Sequence, residues 1–168
     1  MEKALNRLIF FSVLTLALGC EQAGKKDQPS MDEKGIEPEL SVAEMKEDLL
    51  EKGYEIFDYV DPQTADTVIM QQYFIAFLKK GPNRSQNKKE TDSLQTLHLE
   101  HLGKMYELGF ADISGPFGDD GDIRGITIYN TPTLEMADSL ANLDPMVKSG
   151  RLVIEMHPWW AAKGFPLR

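Results

Sequence analysis

The stretch "HLEHLGKMYELGFADISGPFGDDGDIRGITIYN", His98 to Asn130, reads as a helix followed by a β-hairpin. Begun at Leu94 and set at 100° per residue, the helical part gathers Leu94, Leu97, Leu102, Met105 and Leu108 on one face. His98 and His101 fall in the middle of that face, so two groups able to carry charge near neutral pH point toward the core. The helix stops at Gly109. "FADISGPF" then reads as a strand, "GDDGD" as a turn and "IRGITIYN" as the returning strand.

Working outward, "KKGPNRSQNKKET" is a polar loop, and Asp92 with Gln95 three residues on is a candidate cap for the histidine helix. Before it, "YEIFDYVD" and "TVIMQQYFIAFL" read as strands around the turn "PQTA", and Ser41 caps a short acidic helix ending at Gly53. After the hairpin, Thr133 caps a second helix packed through Leu134, Ala137, Leu140 and Ala141. That helix ends near Asp144, because the residue before a proline avoids helical angles. "RLVIEMHPWW" is the last strand. The order strand, helix, strand, strand, helix, strand predicts an α+β class: a ferredoxin-like βαββαβ fold with an antiparallel sheet, preceded by an N-terminal helix and hairpin strand.

The strand "TVIMQQYFIAFL" is apolar on both sides: Met70, Phe74, Ala76 and Leu78 alternate with Ile69, Tyr73, Ile75 and Phe77. Helices cover one side of such a sheet, and a second copy of the chain is the economical cover for the other. A homodimer is therefore expected.

The formal charge of −9 is concentrated between residues 21 and 66, where 14 acidic side chains face 5 basic ones. The rest is nearly neutral and carries no basic stripe, which speaks against nucleic-acid binding. Lys3 and Arg7 precede the apolar run Leu8 to Leu18, which is too short to span a bilayer as a helix and reads as an export signal over 1–19. It ends in "LALGC", and Cys20 is the only cysteine. A lone thiol in an exported chain has no internal disulfide partner. The segment resembles a bacterial lipoprotein signal, which implies cleavage before Cys20 and acylation of it; the other reading is an ordinary signal peptide. Acylation would hold the protein at a membrane of the cell envelope. By the same resemblance, Glu21 in place of Asp favours the outer membrane. Residues 20–40 are polar, acidic and poor in large apolar groups, as in a disordered linker.

"YFIAFLKKGPNR", "HLEHLGKMYELGFADISGPFGDDGDIRGITIYN" and "NLDPMVKSGRLVIEMHPW" together resemble the YciI-like (YCII-related) family of the dimeric α/β-barrel superfamily. The resemblance spans about Thr67 to Trp159, so residues 67–168 form the expected domain and 41–66 an elaboration of it. It implies a ferredoxin-like fold closed into a dimeric α/β barrel, with a His–Asp pair as the active site. Counted back from Gly115 and Pro116, the family's histidine falls on His98, and the aspartate of its Asp-Pro falls on Asp144. Relatives include a chlorodienelactone dehydrochlorinase, and the superfamily contains muconolactone isomerases.

Each candidate residue has a plain reading beside the chemical one. His98 is either a packed core histidine or an imidazole whose tautomer is fixed by Asp144. Asp144 before Pro145 also has the form of an N-cap. His101 is a buried or pocket-lining residue; no further His or Cys stands near it to make a metal site. His157, in register with Glu155 and Val153, either lines a pocket or edges the sheet. Gly115 and Pro116 are further pocket candidates. Lys79, Lys80, Arg84, Lys88 and Lys89 form either an anion-attracting entrance or a solvated loop. "GDDGD" is hairpin turn chemistry. No GxGxxG, phosphate loop, nucleophile elbow or metal cluster is present in the sequence, so neither cofactor nor metal is expected. The leading expectation is a lipid-anchored enzyme of isomerase or lyase-like type doing proton transfer on a small molecule. The alternative is a non-catalytic ligand-binding or structural dimer module of the envelope.

Overall fold

Five strands form one antiparallel sheet whose central member is the long, doubly apolar strand singled out above. The computed structural model describes residues 40–165 and residue 167; the expected export signal, Cys20 with its expected acylation, and nearly all of the expected linker lie outside the described residues. In chain order the elements are α1 (Val42–Glu51), β1 (Ile56–Val60), β2 (Thr67–Lys80), α2 (Lys88–Glu107), β3 (Ala111–Pro116), β4 (Ile123–Tyr129), α3 (Leu134–Ala141), α4 (Pro145–Lys148) and β5 (Leu152–Ala162).

β5 runs beside β2 over Met70–Lys80, while β4 pairs with Phe74–Lys79 and β1 with Thr67–Gln71. Because β5 overlaps both partners, β1 and β4 must share the opposite edge of β2. The spatial order is then β5-β2-β4-β3, with β1 continuing the β4 edge, and this is the ferredoxin-like arrangement.

Local chemistry sets the ends of these elements. Ser41 and Glu44 make a reciprocal capping box at α1, and the two hydrogen bonds from Ser41 hold the Glu44 carboxyl below its usual range. Gly53 takes the left-handed conformation that ends this helix (φ 80°). Between β1 and β2, one Asp61 oxygen accepts from the backbone N–H groups of Gln63 and Thr64 at 2.7 and 3.1 Å.

Four expectations about the helices need correction. The histidine helix α2 starts at Lys88, four residues before Asp92. Asn87 is its cap, in a reciprocal box with Glu90, and Asp92 lies within the helix on a 2.6 Å ion pair with Lys88. The buried stripe of α2 is also narrower than the wheel suggests. His98 and Met105 are buried, whereas Leu97 and Leu108 are exposed, since they stand roughly 70–90° around the helix from that line. On α3, Ala137 and Ala141 are buried but Leu134 is exposed. This helix ends at Ala141 rather than near Asp144, and Asp144 instead opens α4.

One face of the sheet holds the core. Phe74, Ala76 and Leu78 of β2 pack with Met105, Ala137 and Met146 from the helices. The other face carries Ile75, Phe77, Val153 and Trp159, of which Val153 and Trp159 remain exposed. At the end of β2 the backbone passes so close to the start of β5 that a Cβ on Gly81 would lie 2.2 Å from the Gly150 carbonyl. Only glycine fits there. The approach is fastened by Gly81 N–H donating to the Arg151 carbonyl (2.9 Å) and Asn83 N–H to that of Gly150 (3.0 Å).

Candidate active site

Asp144 joins two tasks that the sequence offered as alternatives. The chain leaves α3 at Asn142, turns, and enters α4 with Pro145 at its first position. Oδ1 of Asp144 accepts from the Met146 N–H at 2.8 Å, which caps α4. Oδ2 lies 2.5 Å from Nδ1 of His98. Capping orients the carboxylate, and its second oxygen is thereby aimed at the imidazole.

Both partners are buried, Asp144 to 2 % and His98 to 9 % exposure. An ionised carboxylate only accepts, so Nδ1 carries the proton and neutral His98 keeps its lone pair on Nε2. Nε2 has no hydrogen-bond partner among the described residues, yet it is not sealed in. His98 lines a cavity of about 500 Å³ between α2, the β3–β4 hairpin and the adjoining ends of β2 and β5. The ring thus has one nitrogen anchored in the protein and the other free toward open space, which is the arrangement a general base requires.

Gln95, His98, Leu99 and Leu102 present one face of α2 to this cavity, and Gly115 and Pro116 at the end of β3 form part of its opposite wall. The other candidates lie elsewhere. His157 sits on the opposite face of the sheet, 5.6 Å from the Phe77 ring and hydrogen-bonded to Glu155 at 3.0 Å, because β5 alternates and its even-numbered residues take the core side. His101 does not line the cavity. Its Nε2 is buried without a partner, and burial pushes its imidazole below the ordinary value, against the opposing pull of the Asp144 charge.

This has a consequence for stability. Below the unfolded imidazole value of about 6.5 the unfolded chain takes up a proton that folded His101 resists. Its contribution is therefore complete above that pH and is lost as pH falls toward the lower folded value. His101→Gln should shrink the fall in Tm between neutral and mildly acidic pH. Equal falls in both proteins, read by thermal unfolding, would count against a protected neutral His101.

The basic cluster divides. Lys79 pairs with Glu155 at 2.9 Å and Lys88 with Asp92, whereas Lys80 and Arg84 line the cavity. Arg124 and Arg151, which the sequence reading passed over, line it as well. The signal for them was the element order: an antiparallel sheet brings the end of β2 together with the beginnings of β4 and β5.

No family model matches this chain, and no curated protein matches it. Among solved structures it is similar to the 5-chloro-2-hydroxyhydroquinone dehydrochlorinase of Burkholderia phenoliruptrix, in complex with 2,5-dihydroxybenzoquinone. The two are 20% identical over 52% of this chain and 92% of that one, with a TM-score of 0.40.

Proposed function

We propose that this domain is a cofactor-independent enzyme that transfers a proton within a small molecule bound beside His98. Nε2 of His98 takes a proton from a C–H bond of the ligand, and the bonding electrons pass into an adjoining carbonyl or double bond. In an isomerisation the same nitrogen returns the proton to another carbon. In an elimination a leaving group departs with the electrons, and the proton passes to solvent. Neither course consumes an oxidant or reductant. Asp144 fixes the tautomer and stabilises the imidazolium while it exists. One observation supports this reading above the others: the 2.5 Å contact of His98 Nδ1 with Asp144, with Nε2 left open to the cavity.

The test is a panel of small lactones and enol acids incubated with the purified protein in D2O and read by NMR. At least one compound should gain deuterium or rearrange. No exchange across the panel would favour a non-catalytic ligand-binding or structural module instead.

The proposal extends to assembly and location. A second copy covers the sheet face carrying Ile75, Phe77, Val153 and Trp159, so residues 41–168 should scatter light as a dimer at micromolar concentration. A monomer there would contradict it. An acyl group on Cys20 holds the protein at the cell envelope, and Cys20→Ser should release it from membranes; a variant that still floats with membranes would contradict this.

A further inference from the structure

The charged lining of the cavity beside His98 is mainly cationic, although the whole chain carries −9. Lys80, Arg84, Arg124 and Arg151 line it, against the single carboxylate of Asp120. These four side chains converge because β2 ends where β4 and β5 begin. Two of them are already engaged at the hairpin. Arg124 donates to Asp120 Oδ1 at 3.1 Å and to the Asp119 and Gly121 carbonyls, while Lys80 donates to the Asp120 carbonyl at 3.0 Å.

Arg84 and Arg151 are different. Arg151 donates only to the neutral Gln86 amide oxygen, at 3.1 Å, and Arg84 has no carboxylate within 4.0 Å among the described residues. The loop that bears Arg84 is also fastened to the chain just before β5. Asn83 Nδ2 donates to the Ser149 carbonyl at 2.8 Å, beside the two backbone bonds from Gly81 and Asn83. Two guanidinium groups without a carboxylate partner among the described residues thus line one cavity. The buried part of the lining is apolar, made by Leu78, Met146 and Leu152 with the half-buried Leu102.

We infer that the ligand of this cavity is a small organic carboxylate, its anionic group held by Arg84 and Arg151 and its apolar body laid on the leucine and methionine lining beside His98. Planar guanidinium groups match a carboxylate by paired N–H···O bonds, and a cavity of about 500 Å³ suits a ligand of one or two rings. The inference deepens the proton-transfer reading. Charge left on the ligand when a C–H bond is broken falls within the field of the same cations. The binding half stands independently of that chemistry.

Calorimetry on the full chain with benzoate, its neutral isostere benzamide and inorganic phosphate is the test. Benzoate should bind at least about tenfold more tightly than benzamide, since hydrogen bonds to a charged partner carry that much. The double variant Arg84→Gln/Arg151→Gln should lose that advantage, the affinity for benzoate falling to that for benzamide. Arg84→Gln alone, at an exposed loop position, should lose part of it and keeps the test decisive should the double variant not fold. Equal affinities for benzoate and benzamide, no benzoate binding at millimolar concentration, or indifference to both substitutions would overturn the inference. So would phosphate binding as tightly as benzoate, because the apolar lining would then contribute nothing. Failure here is distinguishable from failure of the proton-transfer reading. Benzoate held through the two arginines, with no deuterium exchange into any compound, retains the carboxylate site and removes the reaction. Exchange in a protein that binds benzoate and benzamide alike does the reverse.

Discussion

His98→Gln is expected to lower turnover by about 10²–10⁴, the usual worth of a positioned general base, while the fold survives. Glutamine is close to histidine in size and reach, and its amide N–H can donate to Asp144 in place of the ring. The buried carboxylate therefore keeps a partner, and the cost to stability should stay within about 1–3 kcal/mol. What glutamine lacks is a lone pair basic enough to take a proton near neutral pH. Deuterium exchange into the active compound and thermal unfolding, measured on the same sample, separate the two effects. A variant that unfolds at the native temperature and also turns over at the native rate would remove His98 from the reaction.

Asp144 yields the second large effect, and it needs two substitutions. In Asp144→Asn the side-chain oxygen can still cap α4 at the Met146 N–H, because asparagine is as good an N-cap as aspartate. The atom facing Nδ1 of His98 becomes an amide, which fixes neither tautomer and stabilises no imidazolium. Turnover should fall by up to about 10⁴, the scale known for the same change in a Ser-His-Asp triad, with little loss of stability. Asp144→Ala loses the cap as well, at about 1 kcal/mol. It also strands the buried N–H of His98, at about 1–3 kcal/mol more. The alanine variant should accordingly unfold at a clearly lower denaturant concentration than the asparagine one. Equal midpoints would mean that the cap and the contact to His98 do not share this carboxylate.

Much of the fold could be read from short-range chemistry. The Ser41 and Thr133 caps, the Asp-rich turn, the alternation along β2 and the order of elements were legible because each depends on neighbours in sequence. The start of α2 is hidden because "NKKE" stands inside a polar stretch. Asn and Glu at that spacing are a capping box in their own right, and the two lysines between them are good helix formers. Leu97 and Leu108 share the apolar face yet stay exposed, since periodicity locates a face but not its width, which is decided by what packs against it.

The site divides along the same line. His98 and Asp144 came from a family resemblance, which also supplied Gly115 and Pro116. The geometry adds what the motif did not contain: one carboxylate serving as cap and ring partner at once. Arg84 is legible as part of a candidate anion-attracting entrance, but its meeting with Arg124 and Arg151 is not, for a long-range reason. Arg84, Arg124 and Arg151 lie on three separate segments, and nothing local marks them as neighbours. Their meeting follows only from the antiparallel pairing of β4 and β5 with β2.

The central claim is that His98 presents an unprotonated Nε2 to the cavity because Asp144 holds the proton on Nδ1. Ring nitrogen shifts of ¹⁵N-labelled histidine read this directly, with His98 assigned by its loss in His98→Gln. The neutral His98 ring should show a protonated Nδ1 and a bare Nε2, and Asp144→Asn should shift the population toward Nε2–H. A native protein whose His98 already carries its proton on Nε2, unchanged by that substitution, would contradict the account.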